Sequence, residues 1–215
     1  MVINILVFFL PLLVGIDVTN ISSEYLYSIG AVEGTAVVVK GEIWRLFSGM
    51  FLHGGVEHIL MNMLSLFLVG RSVEMIFSRF SYLSIYLVSG LIGSLVSIYF
   101  HKESVGIGAS GAIFGIFGAV VGFALVHHKK MHDEFKEFIK SVGVILLLNL
   151  VIGLVFPNVD MSAHIGGAIS GVIGGAMIAK YRNSTWLYIL VSVVVMFFIY
   201  NYLSTLYVNP NNVYF

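Results

Sequence analysis

Seven apolar runs, separated by short charged or Pro/Asn-bearing joints, leave this chain few folds to choose from. They cover roughly residues 2–16, 57–77, 80–100, 108–126, 139–156, 162–179 and 186–207. Most approach the length of about 20 residues that a helix needs to cross a hydrocarbon core about 30 Å thick. In lipid every backbone N–H and C=O must find its partner within the protein, so runs of this length read as spanning helices. Composition agrees: 59% of the residues are hydrophobic and 10% charged, with mean hydropathy +0.99, whereas a soluble domain carries about 25% charge. The chain is therefore expected to be an all-α membrane protein with a single membrane-embedded domain over residues 1–215. The first run lacks the basic start and small-residue cleavage site of a signal peptide, so it reads as a retained span, although it is short at about 1.5 Å per residue.

The same counts exclude several functions. There is no cysteine, which removes disulfides, thiolate nucleophiles and thiolate-bound metals. Net charge is zero, and no basic face tracks a phosphate backbone, so nucleic acid is not an expected partner. No cofactor motif is present. Among seven histidines, His53 and His58 flank Glu57, but zincin ligands stand one helical turn apart, and a spacing of five puts these two on different faces of a helix. No metal is expected.

Lysine and arginine set the orientation. With a cytoplasmic N-terminus, Arg71, Arg79, Lys129, Lys130, Lys136, Lys140, Lys180 and Arg182 gather on one side, against Lys40, Arg45 and Lys102 on the other. Positive charge collects inside, so the first loop (17–56), the 101–105 joint, the 157–161 joint and the tail 209–215 are expected outside. The first loop also holds Trp44, Phe47, Met50, Phe51 and Leu52, which suggests that it lies partly on the bilayer surface.

Spans two, four and six then run inward from the outer side, each with polar residues near its start. Counting at about 1.5 Å per residue, Ser110 lies about 25 Å before His127, His164 about 24 Å before Lys180, and His58 about 24 Å before Glu74. Asn62 is one turn deeper than His58. Polar side chains are costly in lipid and mark function by default, and four at one depth on three helices suggest a single site. Spans four and six can approach closely, because Gly111, Gly115, Gly118 and Gly122 face a ladder formed by Gly167, Gly171 and Gly175 beside Gly166, Ser170 and Gly174. Such small-residue ladders bring backbones together where lipid supplies no hydrophobic drive.

Serine becomes a nucleophile when a base takes its proton, and His164 is the base at hand. Gly108 and Gly111 leave room for a substrate backbone. The Ser110 amide, near a helix start, can point at a developing oxyanion. His58 and Asn62, four apart, share a helix face and supply either further donors to that oxyanion or a polar clasp between helices. No carboxylate shares the depth except Glu57, so a Ser-His dyad is expected. Two other classes stay open: a non-catalytic protein that binds transmembrane helices, and a transporter, for which no broken-helix pair is seen.

The ordered set Glu42-Ile43-Trp44-Arg45, His53, His58-Ile59-Leu60-Met61-Asn62, Gly70 to Glu74, Gly108-Ala109-Ser110-Gly111 and Ala163-His164-Ile165-Gly166-Gly167 resembles the rhomboid family of intramembrane serine proteases. The likeness covers about residues 41–180. It implies a bundle of six core spans plus, here, a C-terminal seventh at about 186–207. It also implies Ser110 as nucleophile, His164 as general base, and His58, Asn62 and the Ser110 amide as the oxyanion hole. Trp44 and Arg45 would shape the first loop, and span five would be the side where substrate enters. Phe114 stands where many relatives carry tyrosine, leaving ring stacking as the support for His164. The substrates implied are transmembrane proteins in the same bilayer, cut within or next to a spanning helix. A bacterial plasma membrane is the expected location, with the site near the outer face. The 156–162 joint is expected to act as a mobile lid over the cavity.

Overall fold

Helices begin and end close to where hydropathy rises and falls. The computed structural model describes residues 1–155, 159–181 and 183–208, with residues 130, 134, 152, 154 and 155 described by backbone alone. Helix α1 (Val2–Phe9) runs into a 3₁₀ turn, Leu10–Val14, which Gly15 ends at φ 77°. The first loop contains three short helices, α2 (Ser23–Ser28), α3 (Gly34–Val38) and α4 (Arg45–Ser48). Six long helices follow: α5 (Val56–Ile76), α6 (Arg79–Phe100), α7 (Ser110–His127), α8 (Asp133–Val155), α9 (Met161–Lys180) and α10 (Thr185–Val208). Among the described residues there is no strand, only an isolated bridge between Val32 and Gly106.

Among the described residues, five of these helices, α5, α6, α7, α9 and α10, are long and apolar enough to cross a membrane. The expected count of seven is met only to that extent. The Val2–Val14 stretch is a shorter apolar helix, and part of α8 is described by backbone alone. Of the expected lid, residues 156–158 lie outside the described residues, as does the tail 209–215.

Helix α7 forms the centre. Every residue from 111 to 120 is buried, the pattern of a helix that is apolar on all faces and enclosed by others. Its tightest partner is α9, and the two glycine ladders meet there. A β-carbon on Gly167 would overlap the Gly111 carbonyl, one on Gly171 the Gly115 carbonyl, and one on Gly175 the Ala119 backbone. From the other side, β-carbons on Gly118 and Gly122 would strike the carbonyls of Ala168 and Val172. Side chains as large as alanine are thus excluded, and the two backbones lie in direct contact.

Helix α10 packs on the outside of this core and is fastened by polar pairs. Tyr188, fully buried, shares a hydrogen bond of 2.9 Å with Ser170 of α9, and Thr185 one of 2.8 Å with Ser81 of α6. The first loop is fastened to the bundle through its backbone. Val32 and Gly106 exchange N–H to C=O bonds of 2.9 and 2.7 Å, and the Gly108 N–H donates to the Gly49 carbonyl at 2.9 Å. The loop thereby fixes the segment that leads into Ser110.

Candidate active site

Ser110 is the first residue of α7, after Ala109 in the cap position. Gly108 comes just before, with φ 108°, a backbone region in which residues with a β-carbon are strained. Its surroundings exclude a side chain as well: a β-carbon there would lie 2.7 Å from His58 Nε2 and 4.0 Å from Asn62 Nδ2. The turn that presents Ser110 therefore runs directly against the two polar side chains of α5.

His164 is the fourth residue of α9 and is buried, with its Nδ1 enclosed and without a hydrogen-bond partner. Its imidazole stacks on Phe114, with centroids 4.2 Å apart and planes 8° from parallel. Phe114 lies one turn below Ser110 on α7, so a single helix carries the serine and the platform under the histidine. The seam at this level is narrow. A β-carbon on Gly111 would meet the Ala163 carbonyl at 3.4 Å, and one on Gly93 of α6 would meet it at 2.7 Å.

On α5, His58 Nδ1 faces the Gly54 N–H across a long contact of 3.5 Å. A neutral ring that accepts there carries its proton on Nε2, the atom turned toward Gly108. Asn62 Nδ2 donates one hydrogen to the His58 carbonyl at 2.9 Å, and an amide nitrogen has a second to offer. His58 and Asn62 share one face of α5, as the spacing of four predicts, and Gly108 packs against that face.

Trp44 and Arg45 serve the first loop. Arg45 is buried, and its Nη1 donates to the carbonyls of Tyr27 at 2.7 Å and Ala31 at 3.1 Å. Its Nε pairs with Glu42, and its guanidinium lies 4.5 Å from the Tyr27 ring centroid and 4.9 Å from that of Trp44. Because Ala31 precedes the Val32–Gly106 bridge, Arg45 supports the Ser110 turn from a distance.

Two further residues stand beside the site. His53 sits in the first loop, as its place within 17–56 predicts, just before α5 begins at Val56. Its ring is buried edge-on against His58, with centroids 5.0 Å apart. Burial first, then the neighbouring imidazole, push its pKa down to about 3 despite the Phe51 carbonyl beside Nδ1. The second is Asp160, which the depth count overlooks because it precedes the apolar run. It is the N-cap of α9, and an aspartate immediately before an apolar run is the sequence signal for that position. Burial raises the Asp160 pKa, but hydrogen bonds from Ser162, Ser97 and the Ala163 amide, together with His101, outweigh it and hold the carboxyl below its usual value.

Residues 40–181 match the family profile of the Rhomboid domain. RHOMBOID-like protein 1 of Arabidopsis thaliana is 39% identical over 154 residues, covering 72% of this chain and 39% of that protein. RHOMBOID-like protein 6, mitochondrial, of the same plant is 36% identical over 165 residues, 77% of this chain and 53% of the relative. Rhomboid protease GluP of Bacillus subtilis (strain 168) is 37% identical over 177 residues, 80% of this chain and 32% of the relative. The chain thus spans about a third to a half of the length of these relatives. With a matched domain covering more than half of its residues and several helices able to cross a bilayer, the chain is a multi-pass membrane protein of the rhomboid family.

Proposed function

We propose that this chain is an intramembrane serine endopeptidase that hydrolyses peptide bonds within or next to transmembrane segments of other membrane proteins. Ser110 is the nucleophile and His164 the general base. One observation carries this reading: the turns that hold Ser110 and His164 meet at the tightest helix seam, where Gly111 and Gly167 leave no side chain between the backbones. Proton transfer works over about 2.6–3.2 Å, so a hydroxyl and an imidazole on different helices need such a seam. The naming of GluP as a rhomboid protease is in line with this reading.

The chemistry follows in steps. As the Ser110 oxygen attacks the substrate carbonyl carbon, its proton passes to His164. The imidazolium then protonates the leaving amine, and an acyl-enzyme remains. Water repeats the attack, giving a proton to His164, which passes it to the Ser110 oxygen as the acid leaves. Negative charge on the carbonyl oxygen is met by the His58 Nε2–H, the second Asn62 hydrogen and the Ser110 amide at a helix start, where the dipole is positive. The aromatic stack on Phe114 orients the base. In the same reading seven spans form one domain, the N-terminus is cytoplasmic, the site lies near the outer face of a bacterial plasma membrane, and substrate helices enter beside α8. Neither metal nor other cofactor takes part.

The test is cleavage of a transmembrane reporter in liposomes by the native protein and by Ser110→Ala and His164→Ala. Cutting by the native protein alone, unaffected by a chelator, supports the dyad. Capture of the reporter helix without cutting moves the function to helix binding.

A further inference from the structure

Asp160 builds the turn that carries His164. Its Oδ1 accepts from the Ser162 N–H at 3.0 Å, the Ala163 N–H at 3.1 Å and the Ser162 hydroxyl at 2.5 Å. Its main-chain carbonyl accepts from the His164 N–H at 3.3 Å. Two of the amides that a helix start leaves open are thereby satisfied, and the first bond within the helix ends on His164 itself. From the end of α6, His101 Nε2 stands 3.6 Å from the same carboxylate oxygen, which links α6 to the start of α9. The Asp160 side chain is 29% exposed, so water screens its charge only in part.

Capping alone does not call for a charge, since asparagine and serine cap about as well as aspartate. What a carboxylate adds is a negative field four residues before an imidazole that becomes cationic during the proposed reaction. We propose that Asp160 is a positioning residue for His164: it sets the first turn of α9 so that the ring lies on Phe114, and its charge stabilises the imidazolium formed when His164 takes the Ser110 proton. This rests on the reading of Ser110 and His164 as the dyad. Among the described residues, the titratable groups acting on His164 are Asp160 and His58 of α5, while His101, just after α6, faces Asp160. Protonated histidines at either place would oppose the imidazolium, which leaves Asp160 to stabilise it. Helix α7 faces the ring with the uncharged Phe114.

The experiment compares the native chain with Asp160→Asn, Asp160→Glu and Asp160→Ala in liposomes, with Ser110→Ala as the inactive control. The kcat and KM for the reporter are measured between about pH 5 and pH 9, and amide exchange is followed over the first turn of α9. Asp160→Asn is expected to keep the exchange protection and KM, to lower kcat about tenfold, and to move the acid limb of kcat/KM to lower pH, because the imidazolium is then less favoured. Asp160→Glu recovers part of the rate, and Asp160→Ala loses protection as well. An Asp160→Asn protein with native kcat and an unmoved acid limb reduces Asp160 to a cap and overturns the inference while the dyad stands. A loss of rate that comes only with lost protection, the acid limb unmoved, overturns it too. A native chain that cuts nothing overturns the inference together with the function it rests on.

Discussion

The Phe114 ring lies under the His164 imidazole at 4.2 Å and 8° from parallel, and Phe114 is itself only 3% exposed. A flat contact of this kind sets the plane of the imidazole without a hydrogen bond. Phe114→Ala should remove that plane and leave a cavity, costing about 3–5 kcal/mol of stability and at least about tenfold in reporter cleavage. Phe114→Tyr should stay near the native rate. Thermal unfolding in detergent and initial cleavage rates check both, and native-rate cutting by Phe114→Ala would show that the stack does not orient the base.

Gly108 joins a positive φ of 108° to a packed neighbour, His58 Nε2. Gly108→Ala should strain the turn by about 1 kcal/mol or more and push His58 away from the place where a carbonyl oxygen would lie. Loss of an oxyanion donor typically costs about 10²–10³ in kcat, so cleavage should fall by that order while the helices stay folded by circular dichroism. Unchanged kcat would separate His58 from the reaction.

The α7–α9 seam tolerates no β-carbon at Gly171, which would overlap the Gly115 carbonyl. Gly171→Val lies two turns below His164 and touches no proposed site residue, yet it should force the helices apart, lower the unfolding temperature and abolish cutting. A variant that unfolds at the native temperature and cuts normally would show that the seam gives way without harm.

Arg45 is buried and feeds the carbonyls of Tyr27 and Ala31. Removing one side of a buried hydrogen bond costs about 1–3 kcal/mol, so Arg45→Ala should loosen the first loop and, through Val32 and Gly106, the Ser110 turn. Amide exchange at Val32 and Gly106 should quicken, and cleavage should drop, more than in Arg45→Lys. If exchange at the bridge is unchanged, the loop does not depend on Arg45.

His53 in the folded protein has its pKa lowered from 6.5 to about 3 by burial and by His58. Between these values the unfolded chain binds the proton and the folded chain does not, so stability falls as pH drops from about 6.5 toward 3, by up to about 1.4 kcal/mol per unit. Above 6.5 this contribution is constant. Unfolding temperatures in detergent at pH 4 to 7 should show that slope, and His53→Asn should flatten it. An unchanged slope in the variant assigns acid sensitivity elsewhere.

Much of this molecule is legible in its sequence because the signals are local. Apolar run length sets the long helices, four-residue spacing puts His58 and Asn62 on one face, and the glycine ladders of α7 and α9 mark backbones meant to touch. The expectation that Ser110, His58 and His164 share one depth comes from counting along single helices, and the family likeness rests on short motifs in order. Tertiary structure alone decides how those pieces meet. The first loop pairs with Gly106 and Gly108 across long stretches of chain, Gly108 takes a positive φ, His53 lies against His58, and Asp160 caps the helix of His164 while facing His101. Hydropathy and spacing describe one helix at a time. Which faces meet, and which polar atoms find partners, depends on close packing between residues far apart in the chain, and no local pattern encodes that.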